Sequence, residues 1–253
     1  MPMLNVSAFD AYYGKSGKLI SLKEVDSTNT YAVKHELPPF TCVVAEKQTA
    51  GRGRSGRQWH SNTDQNLYFS IVIDGLDASM LLPLNIFAGY LLSDTLKDIV
   101  DAKVKWPNDM VVNGKKLAGI LMETTFSGGT LEKVVLGIGL NVNCESFDDE
   151  IKDIATSLYI ETGQKFEREK ILASFVLNLE NSFEEFRSKR IEVEKLWSTY
   201  SAYLDKKISI HKDGVKTIYT EKGIDTTGCL LALDESGSLQ TIITGDIGYD
   251  FCR

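Results

Sequence analysis

Residues 41–73 read TCVVAEKQTAGRGRSGRQWHSNTDQNLYFSIVI, two β-branched and aromatic runs with a glycine- and arginine-rich loop hung between them. Thr41 to Glu46 and Asn66 to Ile73 have the composition of strands. The heart of the loop, Gly51-Arg52-Gly53-Arg54-Ser55-Gly56-Arg57-Gln58-Trp59, has no apolar side chain before Trp59. It has little to bury, so it is expected to be mobile until something binds it. Its three glycines can reach positive φ without a Cβ clash, which lets several backbone N–H groups converge on one phosphate or carboxylate. Its three arginines repel one another until such an anion arrives. A run of like charge is more often a solvated face, so the loop gains meaning only in company with other residues.

Outward from the loop, the pattern is mixed α/β with no internal repeat. Lys18 to Val25 alternates as a strand, and Asp26-Ser27-Thr28 supplies an N-cap for a helix from Asn29 to Glu36, which Pro38-Pro39 stops. Leu81 to Val100 has helical periodicity and Lys103 to Trp106 is a short strand. Val112-Asn113-Gly114-Lys115 is a hairpin turn leading into a strand from Lys116 to Thr124. Val134 to Asn141 is an apolar strand carrying Gly137 and Gly139, a place where a ligand or another backbone can approach closely. A long helical pattern runs from Glu167 to Ser201. Four short strands follow, Lys206 to Ile210, Lys216 to Thr220, Cys229 to Leu233 and Leu239 to Ile243, separated by Asp213-Gly214, Thr227-Gly228 and Ser236-Gly237. They suggest a small antiparallel barrel that is hard to stabilise alone. The expected division is 1–201 and 202–253.

At 253 residues, 43% hydrophobic and 25% charged, the chain can build an ordinary globular core. The net charge of −7 argues against broad nucleic-acid binding and makes the arginine cluster a local exception. Cys42, Cys144, Cys229 and Cys252 are dispersed without a CxxC pair, as expected of reduced thiols in a cytoplasmic protein. His35, His60 and His211 are equally scattered, and no fixed metal site is legible. The N-terminus lacks the profile of a signal peptide and no eighteen apolar residues run together, so no membrane association is expected.

Three further segments have the chemistry of a site. Trp106-Pro107-Asn108-Asp109 places two polar side chains where Pro107 forces a turn. Lys116 begins the apolar stretch Leu117-Ala118-Gly119-Ile120 and can meet a carboxylate or phosphate as a point charge. Gln48, just before the loop, can offer both a donor and an acceptor to an amide-like ligand. Each has a bland reading as turn, surface lysine or strand end.

Taken together, these segments resemble the biotin protein ligases. Ser27-Thr28-Asn29 after a strand, Gln48, GRGRSGRQW, KWPNDM at 105–110, KLAGIL at 116–121 and GIGLNVN at 137–143 stand in that family's order and spacing. GID at 223–225, Gly228-Cys229-Leu230-Leu231 and Gly245-Asp246-Ile247 resemble its C-terminal region. The resemblance implies a catalytic domain related to class II aminoacyl-tRNA synthetases, an α+β fold with a mixed sheet, followed by an SH3-like barrel. It implies activation of biotin by ATP with Mg²⁺ as biotinyl-5′-AMP. Transfer to a lysine of a biotin carboxyl carrier protein or carboxylase biotinyl domain follows.

By the same resemblance, Ser27, Thr28, Asn29, Gln48 and Arg54 bind the ureido end of biotin or fold the loop over it. Gly51 and Arg52 hold the carboxylate or phosphate region, Trp59 orders the closed loop, and Gly119, Gly137 and Gly139 leave room for the ligands. Arg52, Arg54, Arg57, Asn108, Asp109, Lys116 and Asn141 are implied on the nucleotide, with Lys116 bridging the biotin carboxylate and the α-phosphate. Lys116, Arg54 and Asp109 are the implied catalytic residues, Asp109 as acceptor of the amine proton.

Two departures stand out. Only 26 residues precede Ser27, so no winged-helix DNA-binding domain and no nucleic-acid partner are expected. Asp246-Ile247-Gly248-Tyr249-Asp250-Phe251 offers no basic residue to the nucleotide before Arg253, which puts the small domain's part in ATP binding in question. A lipoate ligase would carry a loop resembling Arg-Arg-x-Ser-Gly-Gly, which is absent. A non-catalytic biotin sensor would need a basic DNA surface or a missing Lys116. The oligomeric state, monomer or homodimer, is left open.

Overall fold

The computed structural model describes residues 3–15, 17–61, 63–212 and 214–248. Both strands of the opening stretch form: β2 (Cys42–Gln48) and β3 (Leu67–Ile73) pair antiparallel, with Cys42 opposite Ile71 and Ala45 opposite Tyr68. Every residue of β3 is buried, because the sheet is covered on both faces. Val43, Val72 and Val135 face Ala32 of α2 (Thr28–Lys34). Val44, Phe69, Ile71 and Ile73 belong to the larger core under α1 (Val6–Tyr13), α3 (Leu81–Leu96) and α5 (Arg168–Arg187). Alternate strand residues thus serve opposite layers.

Around this pair lie β1 (Leu19–Val25), β4 (Lys103–Lys105), β5 (Asp109–Val112), β6 (Lys115–Ser127) and β7 (Thr130–Leu140). The order is β1-β2-β3-β7-β6-β5-β4, parallel only between β1 and β2, so the sheet is mixed as expected. Asn113 and Gly114, at φ 50° and 77°, form the anticipated hairpin turn between β5 and β6.

After the short α4 (Leu158–Thr162), the helical pattern over 167–201 resolves into two helices, α5 and α6 (Val193–Tyr200), either side of a loop at 188–192, where Lys189 takes φ 57°. The break lets both segments reach α3: Phe186 stacks on Phe87 at 4.7 Å and Tyr200 on Tyr90 at 4.7 Å. α3 itself ends at Leu96, four residues before the end of its periodic pattern, since the chain must turn into β4. α1 was not anticipated, although Asn5 caps it by accepting from Ala8 N–H at 3.1 Å and Gly14 ends it at φ 78°.

A second, antiparallel sheet contains β8 (Lys207–Lys212), β9 (Val215–Ile224), β10 (Leu230–Leu233), β11 (Leu239–Ile242) and β12 (Asp246–Ile247), in the order β11-β10-β9-β8-β12. Among the described residues it has five strands where four were expected; the two-residue β12 pairs with β8 and is too short to leave a periodic signal. Asp213, one of the expected turn residues, and residues 249–253, including Cys252, lie outside the described residues. The two sheets are tied together through residues that flank their strands and through α6. Buried Trp106 donates Nε1–H to Gly228 O at 3.0 Å, and Ala202 N–H donates to Val104 O at 2.9 Å. Glu221 of β9 accepts from Trp197 Nε1–H at 2.8 Å and from the Ser201 hydroxyl, while its other carboxylate oxygen is buried without a partner. No described helix is long and apolar enough to cross a membrane.

Candidate functional site

One cavity of about 1000 Å³ opens between the C-terminal end of β2, the N-terminal end of β3, strands β5 and β6, the Gly/Arg loop and the edge of the second sheet. Its inner end is a buried polar network. Thr28, the first residue of α2, donates N–H to Gln48 Oε1 at 2.9 Å and its hydroxyl to the same oxygen at 3.2 Å. Gln48 Nε2 in turn donates to Ser61 Oγ at 2.9 Å. Asn29 donates to Leu121 O at 3.1 Å, and the Ser70 hydroxyl lies 2.6 Å from Asn29 Oδ1 and 2.7 Å from Thr28 Oγ1. Ser27, buried at the N-cap, also lines the cavity, though its side chain makes no capping bond. Ser61 and Ser70 escaped the sequence reading because an isolated serine in a loop or strand has no pattern around it.

The glycines have reasons other than the expected one. In the loop only Gly56 takes positive φ, 73°, next to Ser55 at 54°; Gly53 is extended. Gly51 is needed for space, since a Cβ there would lie 2.7 Å from Trp59 O and 2.8 Å from Ser61 Oγ. On β7, a Cβ at Gly137 would lie 2.1 Å from Asn29 Oδ1, and one at Gly139 only 2.3 Å from the Trp59 ring. A Cβ at Gly119 would also meet that ring, at 2.9 Å. The indole therefore lies across β6 and β7, its Nε1–H buried without an acceptor.

Hydrogen bonds close the loop on itself, Trp59 N–H to Gly51 O at 3.0 Å and Gly53 N–H to Arg57 O at 2.7 Å. Its arginines are paired rather than waiting. Arg52 reaches Glu123 at 2.8 Å and Thr30 at 2.7 Å. Arg54 contacts Asn108 Oδ1 at 3.1 Å, Asp246 at 3.2 Å and Gly245 O at 3.4 Å. Arg57 meets Asp246 at 2.5 Å. The second sheet thus contributes to this cavity an acid, Asp246, which the sequence reading had noted only as the lack of a base.

The opposite wall is built on strands. Trp106-Pro107 is a cis peptide, and the turn it makes is held by Asn85, whose amide donates to Pro107 O at 2.6 Å. Asn108 exchanges bonds with Ile120, Nδ2–H to O at 3.0 Å and O from N–H at 2.8 Å. Asp109 stands between two ammonium groups, with Lys116 Nζ at 2.6 Å from one oxygen and Lys105 Nζ at 3.3 Å from the other. Lys116 Nζ is also 5.2 Å from the centre of the Trp59 ring. Asn141 lines the cavity with its amide engaged by Thr156 O at 3.0 Å and Asn66 at 3.4 Å. Burial pushes the neighbouring Cys144 thiol up, away from thiolate character.

The cavity therefore has a neutral, hydrogen-bonding end and a cationic end, with room for an elongated ligand that is amide-like at one tip and anionic at the other. Residues 21–141 match the family described as biotin/lipoate A/B protein ligase. The chain is 31% identical over 231 residues to the bifunctional ligase/repressor BirA of Bacillus subtilis, spanning 87% of this chain and 71% of that one. It is 28% identical over 213 residues to the biotin–[acetyl-CoA-carboxylase] ligase of Mycobacterium tuberculosis, spanning 81% and 77% respectively. Among solved structures, a biotin protein ligase from Aquifex aeolicus in complex with biotin and ATP aligns at a TM-score of 0.78 and 32% identity, over 91% of this chain and 97% of that one.

Proposed function

The chain belongs to the biotin protein ligase family, and from that premise we propose that it joins biotin to a carrier protein in two steps. The biotin carboxylate attacks the α-phosphorus of ATP, releasing pyrophosphate and leaving biotinyl-5′-AMP. The amine of an acceptor lysine, in a biotin carboxyl carrier protein or carboxylase biotinyl domain, then attacks the acyl carbon; AMP leaves and the amine gives up a proton. Residues 1–201 carry both ligand ends in this reading, and 202–253 form the small domain that closes the nucleotide side.

The observation that carries the reading is the joining of the Thr28–Gln48–Ser61 network and the Lys116 ammonium in a single cavity. The buried donors and acceptors suit a ureido ring. A ureido ring can exchange hydrogen bonds with this network, whereas a dithiolane has no N–H or carbonyl to offer it. Lys116 stabilises charge developing at the α-phosphate. Arg54 and Arg57 exchange Asp246 for ligand anions, each charge-assisted bond contributing about 1.5–3 kcal/mol. Mg²⁺ would enter as part of the ATP substrate and neutralise its phosphates; both oxygens of Asp109 face an ammonium. The same pairing makes Asp109 a poor acceptor for the amine proton until Lys116 turns to the ligand.

The test is pyrophosphate release with ATP, Mg²⁺ and either biotin or lipoate, followed by mass spectrometry of an added carboxylase biotinyl domain. Biotin-dependent release and a single biotinyl mass gain on that domain are expected. Tight biotin binding with no release would replace the ligase by a sensor.

A further inference from the structure

Lys105 is 3% exposed, and an ammonium that deep must be compensated by another charge. Its place is set by register. Lys105 on β4 is the cross-strand partner of Asp109 on β5, whose other neighbour is Gly119 on β6. Lys116 on β6 then reaches the same carboxylate from the cavity side. One carboxylate is thus shared by a cation sealed behind it, with 4% of its side chain exposed, and a cation in front of it, with 26% exposed.

From this arrangement we infer that Lys105 is a positioning residue that frees Lys116 for the ligand, an inference that rests on the assignment of Lys116 to adenylation. Lys116 is held by Asp109, at 2.6 Å. To serve a carboxylate and a phosphate it must turn away, which without Lys105 would leave the partly buried Asp109 as an anion beside incoming anions. Lys105 keeps that carboxylate neutralised from behind, so the transfer of Lys116 leaves no bare charge. The three side chains carry a net +1, and the mobile part of it is on Lys116. Without Lys105 the pair Asp109–Lys116 is neutral, and Asp109 competes with the ligand for the ammonium that the reaction needs.

The consequence is a coupling of opposite charges that a scaffold residue would not show. Lys105→Met is expected to lower kcat/KM for biotin-dependent pyrophosphate release at least tenfold, mainly through a higher KM for ATP. In an Asp109→Asn background, where there is no carboxylate left to neutralise, the same substitution is expected to change kcat/KM by less than threefold. Lys105→Arg, which keeps the charge, is expected to restore the single-substitution loss to within about fivefold of the unaltered protein. Equal losses from Lys105→Met in both backgrounds overturn the inference, as does an arginine variant no better than methionine. If Lys105→Met alone does not fold, the comparison of Asp109→Asn with the double variant decides the matter. Removing both members takes away the pair as a whole, and a tenfold deficit of the double variant against Asp109→Asn alone refutes the role. Unaltered protein that releases no pyrophosphate with biotin and ATP would overturn the ligase reading and this inference together; additive losses on top of normal turnover would overturn this inference alone.

Discussion

The strand wall and the loop wall of the cavity carry cations of opposite character. On the strands, the side chains of Lys105, Asp109 and Lys116 are 4%, 13% and 26% exposed, and cross-strand register holds them. On the loop, Arg52 and Arg57 are 50% and 60% exposed and pair with Glu123 of β6 and Asp246 of β12, while Arg54, at 24%, shares Asp246. Removing one member of a buried set strands its partner, at about 3–5 kcal/mol. Pairs as exposed as those of Arg52 and Arg57 contribute about 0–1 kcal/mol. The strands therefore supply a permanent field, while the loop supplies cations whose present partners can be exchanged for phosphate.

The largest effect should follow from attacking the permanent field where it meets the reaction. Lys116→Ala is expected to depress biotin-dependent pyrophosphate release by about 10²–10³-fold, with a much smaller loss in transfer from supplied biotinyl-AMP to an acceptor domain. Rapid-quench measurement of the two half-reactions separates them. Equal losses in both would show that Lys116 merely holds the wall together, and the contrast between fixed and exchangeable cations would fail at its main example.

Glu221 sharpens the same contrast away from the cavity. It is 1% exposed, and burial, opposed by hydrogen bonds from Ser201 and Trp197, raises its pKa from 4.5 to about 7. The folded state thus keeps a proton that the unfolded chain gives up earlier. Stability conferred by this group is fully present below pH 4.5 and is lost as pH rises to about 7. A shift of that size corresponds to about 3 kcal/mol, or several degrees in the thermal midpoint. Melting curves between pH 5 and 8 should show the decline, and Glu221→Gln should flatten it. Parallel curves for both proteins would mean that the carboxyl is solvated when the sheets are joined.

For the exchangeable set, Arg54→Gly should speed dissociation of biotinyl-AMP by about tenfold, the loss of roughly one charge-assisted bond. A stopped-flow chase reads it directly, and an unchanged rate would detach the loop from the ligand.

What the sequence revealed of this arrangement depended on whether a feature was local. The hairpin turn at Asn113-Gly114 and the strand pair around the loop are short-range patterns, and both formed as read. Gln48, Thr28, Lys116 and Asn108 came together around one cavity. Lys105 was hidden inside its motif because its importance comes from register with Asp109, and Ser70 because it acts through a bond to α2 from the middle of an apolar strand. Gly139 looked like room for a ligand, whereas the space above it is taken by Trp59, from a distant segment. The division of the 167–201 helix likewise follows from tertiary packing on α3, which no periodicity encodes.

The smallest effect is the most discriminating. Asp246 is a charged competitor for two guanidinium groups, at 3.2 Å from Arg54 and 2.5 Å from Arg57. If the loop's cations are exchangeable, ATP must displace it. Asp246→Asn, which keeps size and removes charge, should then lower the KM for ATP, by less than about fivefold because these groups are partly solvent-screened. The gain should shrink as ionic strength rises and the Debye length falls from about 10 Å at 0.1 M to about 3 Å at 1 M. A raised KM would give Asp246 the opposite role, that of a support holding the loop in its binding shape. The loop wall would then be as preorganised as the strand wall, with the second sheet as its backing.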